Sequence, residues 1–235
     1  MRFIHLRPWI AAAASVAIAI TLVCRLSPSK SRPDEKTVSA AEDEVYEAVV
    51  RDMITPTHGQ ANISQLVFGD AVLTDLTPRA DIKSCKESVR KLLSLEASTP
   101  PFNSLADKIY RAFTPRDDGL LRSDTIQDFL EKSCGVGRLS TTFNTDLPRT
   151  FIAAESIHFD GWPIEKNGPP SFEQLFPGAD GIISFSHVGF DSTLDEAIVS
   201  ASYVCGGLCG TGWRYLLRKK SGRWEITNKL MVWMS

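Results

Sequence analysis

Four apolar runs in the last third of the chain constrain the fold more than any other feature. They are IISFSHVGF (182–190), EAIVSASYV (196–204), WRYLLRK (213–219) and RWEITNKLMVW (223–233). β-Branched and aromatic residues dominate them. Ala197, Val199, Ala201 and Tyr203 alternate with Ser200 and Ser202, and Trp224 and Ile226 alternate with Glu225 and Thr227. A period of two sends one set of side chains to a core and the other to water. The polar joints at 191–195 and at Lys220-Ser221-Gly222 suit hairpins. These runs predict an antiparallel meander of about four strands.

Upstream the period changes. In AEDEVYEAVVRDMI, Val45, Val49 and Met53 recur at helical spacing with Tyr46 and Val50 beside them. Acids crowd the first turn, Ser39 is placed to cap it, and Pro56 follows. ADIKSCKESVRKLLSL predicts a helix with Ile82, Cys85, Val89, Leu92 and Leu93 on one face. SLADKIYRAF predicts another, and SDTIQDFLEKS a third, capped by Ser123 or Asp124. Short strand-like segments occur at 66–68, 72–73 and 149–159, and SFEQLF reads as a helical turn. The fold class is therefore α+β, with N-terminal helices packed on one face of a C-terminal antiparallel sheet.

The N-terminus, MRFIHLRPWIAAAASVAIAITLVCRLSPSK, has basic residues, then an uncharged run over 8–24, then Arg25. That order is an export signal. Small residues suited to cleavage are missing after the run, and Val23 and Thr21 precede Cys24 where a lipidation site wants other residues. Retention as a short signal-anchor fits best, although about 20 apolar residues make a comfortable span. Residues 1–26 are thus expected to be signal or anchor, 27–40 a polar tether and 41–235 one domain. The domain lies outside the cytoplasm, anchored to the cytoplasmic membrane, or secreted if cleaved.

The whole chain carries 26 basic and 28 acidic residues. Six basic and two acidic residues fall in the first forty, which leaves 20 against 26, or −6, on residues 41–235. An acidic body without a basic stripe excludes nucleic acid as a partner, because phosphate affinity comes from clustered Lys and Arg. In an exported chain, Cys85, Cys134, Cys205 and Cys209 read as disulfides, and four cysteines allow three pairings. Proximity favours Cys205–Cys209 and Cys85–Cys134.

The loop between the second and third runs, YVCGGLCGTGW, invites other chemistry. A zinc site would need two further ligands near Cys205 and Cys209, yet His5, His58, His158 and His187 are scattered. A redox motif wants Cys-x-x-Cys opening a helix, and a phosphate loop wants a Lys and a following helix. Neither is present. A disulfide across a hairpin neck is the reading that remains, with no metal and no cofactor expected.

For acid–base chemistry the best pairs are His187 with Asp191 and His158 with Asp160. The acids Glu42, Asp43, Glu44 and Glu47 read as a solvated helix start. Asp117 and Asp118 before Gly119 read as a turn, and Asp117 to Asp128 lacks calcium-loop spacing. Asn62-Ile63-Ser64 matches a glycosylation sequon. Trp213, Trp224 and Trp233, with Tyr203 and Tyr215, are the one concentration of aromatics. Parity puts Trp224 with Ile226 and Leu230 and puts Trp233 opposite. On a small sheet most of this set is expected to fill the core; left uncovered by helices, part of it would bind a peptide, a glycan or an apolar ligand.

The segment FPGADGIISFSHVGF…YVCGGLCGTGWRYLLRKKSGRWEITNKLMVWMS resembles a group of uncharacterised exported bacterial proteins. These share a "GI…S.VGF" strand, a strand ending at a Cys–Gly loop, an "L.K..G.W.I" hairpin and a terminal "W.S". The EVYEAVVRDMI helix is similar to their opening. More loosely, helices before a sheet ending in G-R-W-x-I resemble cystatin-like and nuclear transport factor 2-like α+β domains. These resemblances imply a layout and no activity. The expected function is a non-catalytic envelope domain that binds a protein or small ligand through its sheet. The alternatives are a hydrolase using His187/Asp191 or His158/Asp160, and a structural accessory subunit.

Overall fold

The structure is a computed structural model, and it describes residues 33–54, 64–71, 82–96, 121–135, 137–139, 142–153, 171–206 and 208–235. The first helix, α1 (Glu35–Met53), starts inside the segment expected to be tether, so residues 35–40 are helical. Asp34, not Ser39, caps it: its carboxylate accepts the Thr37 amide at 2.7 Å. Ala41, Val45, Tyr46, Val49 and Val50 form the buried stripe. The expected acids at 42–47 serve more than the helix dipole. Glu42 accepts the Val188 amide, Glu47 accepts the Asn144 amide, and Asp43 accepts the Thr142 hydroxyl. They moor two irregular segments to α1.

Among the described residues, seven strands form one mixed sheet. They are β1 (Leu66–Gly69), β2 (Arg149–Ile152), β3 (Ile182–Phe185), β4 (Gly189–Phe190), β5 (Glu196–Gly206), β6 (Cys209–Lys220) and β7 (Arg223–Met234). Their order is β2-β1-β3-β5-β6-β7, with β4 also on β5. The four expected runs appear as the antiparallel part, β3/β4, β5, β6 and β7. The first run is broken at 186–188. There Ser186 turns its hydroxyl to the His187 carbonyl and accepts the Ser200 amide, while Tyr46 of α1 donates to the Ser186 carbonyl.

The short strands β1 and β2 fall in the segments expected to be strand-like at 66–68 and 149–159, but their parallel pairing was not expected; residues 72–73 and 154–159 lie outside the described residues. They pair in parallel with each other, and β1 pairs in parallel with β3. Parallel neighbours need long crossovers, usually helical, and these supply cover for the second face of the sheet. α2 (Ile82–Glu96) and α3 (Ser123–Lys132) lie between β1 and β2 in the chain, and α4 (Phe172–Leu175) lies between β2 and β3. The α+β class stands, with helices on both faces where cover of one was expected.

The alternation along β5 and β6 assigns the two cores. Ala197, Val199, Ala201, Tyr215 and Leu217 share a core with α1, Phe68, Phe143 and Phe185. Ile198 and Leu216, one step out of phase, share a core with Cys85, Val89, Ile126, Phe129 and Leu130 from α2 and α3. Ile82, expected on that buried face, is exposed. At α3 the residue in the cap position is Arg122, with no side-chain cap; Asp124 accepts the Thr125 and Ser192 amides. α3 comes so close to β4 that a Cβ on Gly189 would sit 2.6 Å from the Phe129 backbone nitrogen, a contact only glycine allows. A capping box between Ser171 and Gln174 opens α4. The helix expected over SLADKIYRAF and the sequon at Asn62 lie outside the described residues, as do residues 1–32.

β7 carries two one-residue register shifts. Leu217 pairs with Ile226 but Leu216 with Asn228, and Trp213 pairs with Met231 but Gly212 with Trp233. Each skipped residue flips the parity downstream. Leu230, expected beside Trp224, therefore packs on the opposite core. The second shift restores parity, and Trp233 falls opposite Trp224 as expected. There its ring lies over Gly212, where any side chain would collide with it.

Candidate functional site

The sheet is longer than the helix that covers it. β6 and β7 have 12 residues each and reach about 40 Å. α1 has 19 residues and spans about 28 Å. Among the described residues no helix covers this end of the sheet, and a pocket of about 350 Å³ forms there. Ile183, Tyr203 and Trp213 line it from the sheet face that α1 covers elsewhere. Met53 and Ile54 close it at the helix end, Met231 and Met234 on β7, and Cys205 and Cys209 at the hairpin tip. The polar lining residues are Gln65, Asp180, Thr211 and Lys229.

The polar groups are engaged. Tyr203 donates to the Asp180 carbonyl at 2.7 Å. Lys229 pairs with Asp52 at 2.7 Å and stands 4.3 Å above the Trp213 ring and 5.1 Å from Tyr215. The Tyr215 hydroxyl also donates to Asp52, and burial together with that carboxylate raises its pKa well above the ordinary phenol value. What the pocket offers a guest is chiefly apolar: thioethers, one indole face and one phenol ring. Outside the pocket, this end of the sheet exposes further apolar residues, with Trp233 on the opposite face. Leu208 at the hairpin tip is 91% exposed and Met234 71%, with Met231, Val232 and Trp233 also exposed. Among the described residues β7 is the last strand of the sheet, so this surface lies along its edge strand.

The aromatic set read from the sequence divides. Tyr203 and Trp213 line the pocket, whereas Tyr215 and Trp224 are buried in the core beneath α1. Met53 was read from the sequence as part of the apolar face of α1 and not as a pocket residue, and Ile54, Met231 and Met234 were not singled out. A signal for the last two was there, since in LMVWM the alternation gives way to apolar residues on both faces.

His187 and Asp191 do different jobs. His187 Nδ1 stands 3.9 Å from Glu42 Oε1, and burial lowers its pKa against the pull of that carboxylate. Asp191 is a buried turn organiser. Its carboxylate accepts the Asp195 and Glu196 amides at 2.8 and 2.9 Å, the Thr193 hydroxyl and the Arg122 guanidinium. Burial works to raise its pKa, but these donors outweigh it and hold the carboxyl below the usual range. Beside it Glu196 accepts the Arg122 amide, the Thr125 hydroxyl and the Arg218 guanidinium, which ties α3, β5 and β6 together. His158 and Asp160 lie outside the described residues. Two disulfides are present, Cys85–Cys134 and Cys205–Cys209, which fits an oxidising compartment. Among the described residues, no three His, Cys, Asp or Glu come together to hold a metal, and no helix is long and apolar enough to cross a membrane.

No protein family, curated protein or solved structure matches the chain. The resemblance noted in its C-terminal pattern rests on those residues alone.

Proposed function

We propose that this chain is a non-catalytic binding domain working outside the cytoplasm. It holds an apolar group, from a protein partner or a small ligand, in the pocket at the uncovered end of its sheet. One observation carries the reading: Tyr203, Trp213, Met53, Met231 and Met234 line a concave site in which Met231 and Met234 stay exposed, and Leu208, next in the chain to the lining residue Cys209, is exposed too. Concave apolar sites with a few placed polar groups are the usual form of ligand pockets, and exposed apolar surface of this kind marks binding sites. Methionines adapt to guests of varied shape. The export signal and the two disulfides support a location across the membrane, with the N-terminal segment as its anchor.

The test uses an amphiphilic fluorophore, the anion 1-anilinonaphthalene-8-sulfonate, titrated into the folded protein and into Met231→Asp. Saturable binding that weakens about tenfold in the variant is expected, since a carboxylate placed against the dye must be desolvated and repels its sulfonate. Unsaturable binding, or binding indifferent to Met231→Asp, would overturn the reading.

A further inference from the structure

The two disulfides sit in contrasting places. Cys85 and Cys134 are 4% and 3% exposed, inside the core that α2 and α3 make with the sheet. Cys209 is exposed and Cys205 half-buried, and both belong to the pocket wall. Cys205 is also an irregular residue of its strand. Val204 pairs with Gly210 and Gly206 with Cys209, so the ladder passes over Cys205 and leaves it at a bulge. What holds it there is its bond to Cys209, together with a contact of 3.3 Å from its sulfur to the Cys209 carbonyl.

We propose that Cys205–Cys209 is a reducible disulfide that sets the shape of the pocket, and that a dithiol reductant opens it while Cys85–Cys134 keeps the fold. The proposal rests on the reading of the pocket as a binding site. A thiolate of the reductant attacks Cys209 Sγ, the more accessible sulfur, and the S–S bond breaks with Cys205 leaving as thiolate. The second thiol of the reductant then attacks the mixed disulfide and releases Cys209. Two electrons pass to the protein, which takes two protons from water, and the reductant leaves as a disulfide. With the clasp open, the bulge is no longer fixed and the wall must be ordered anew by each guest. Losing that preorganisation weakens binding, on the order of tenfold. The coupling is reciprocal, so a guest in the pocket resists reduction of the clasp by the same factor.

The experiment treats the whole protein with graded dithiothreitol, alkylates the thiols and maps them by mass spectrometry. It measures 1-anilinonaphthalene-8-sulfonate affinity on the same samples, with far-ultraviolet circular dichroism as a check on the fold. Expected is alkylation of Cys205 and Cys209 while Cys85 and Cys134 stay bonded, with affinity about tenfold weaker and the spectrum unchanged. The double variant Cys205→Ser/Cys209→Ser, never exposed to reductant, should bind as weakly. Opening of both disulfides together, or of Cys85–Cys134 first, overturns the proposal. Selective opening with unchanged affinity overturns it too, while leaving the pocket itself in place. A dye that fails to bind the oxidised protein overturns the pocket reading and this proposal with it.

Discussion

Removing each disulfide in turn should separate their contributions to stability. Cys85 and Cys134 are 49 positions apart and Cys205 and Cys209 only 4. On a chain-entropy account the first closes a loop worth about 4 kcal/mol and the second about 2 kcal/mol. Cys85→Ala/Cys134→Ala also removes two sulfurs packed against Val89, Phe129 and Leu130, which adds roughly 1 kcal/mol through the cavity left behind. The exposed pair leaves no such cavity. The expected losses are therefore about 5 kcal/mol for the buried pair and at most about 2 kcal/mol for the hairpin pair. For a domain of this size each kcal/mol moves the melting temperature by about 2–4 °C, so the buried-pair variant should melt roughly 10–20 °C lower. Guanidinium unfolding of the two double variants beside the parent protein measures both. A hairpin variant that loses as much as the core variant would refute the reasoning, for then neither loop length nor burial would govern what these bonds contribute.

Other substitutions probe the two cores and their polar seams. Gly189→Ala should cost about 1–3 kcal/mol by chemical denaturation, because the new methyl meets the Phe129 backbone and α3 must back away from β4. Glu196→Gln, which leaves Arg218 without its carboxylate and weakens the bonds from Arg122 and Thr125, should cost about 2 kcal/mol in the same assay. Asp191 is more acidic folded than unfolded, so its stabilisation is complete above about pH 4 and is lost as pH falls further. Asp191→Asn should flatten the acid limb of a stability–pH curve, and an unchanged limb would count against the donor set assigned to it. His187 also binds its proton less readily in the fold, and its contribution fades as pH falls below about 6.5. His187→Gln should remove that slope from urea midpoints measured between pH 7 and pH 5.

Much of this fold can be read from residues in which local and long-range demands coincide. Alternating residues such as Ala197, Val199 and Ala201 announce a two-faced strand, and α1 shows its stripe at Val45 and Val49. The pairing of β1 with β2 and β3 is a different matter. β1 has four residues and takes a partner from more than eighty positions downstream, and nothing in LVFG states which strand will lie beside it. Two-sided cover escaped for a related reason. Ile198 and Leu216 are apolar out of phase with their neighbours, and their significance appears only once α2 and α3 are seen above them. Bulges hide in the same way, since Thr227 and Val232 suit a strand as well as any residue around them. His187 and Asp191, close in sequence, lie on either side of β4, where His187 stands beside Glu42 and Asp191 binds the turn that follows the strand.

The pocket itself follows from a mismatch that neither element reveals alone. α1 ends at Met53, while β5, β6 and β7 run on past it. Each strand brings residues whose period suits a covered face, so Tyr203, Trp213 and Met231 arrive with apolar side chains where, among the described residues, no helix remains to bury them. In a purely structural domain such a sheet end would carry the charges seen at the other end of the β6–β7 hairpin, where Lys220, Arg223 and Glu225 are exposed, Lys220 pairs with Glu225 and Lys219 pairs with Glu44 of α1. Here residues 230–234 of β7 carry no charged side chain, and Lys229 is bound by Asp52 and laid against Trp213. The two ends of one hairpin thus obey opposite rules. One is built as ordinary surface, and the other keeps its apolar residues exposed around a concave site, which is the pattern expected where a guest completes the burial.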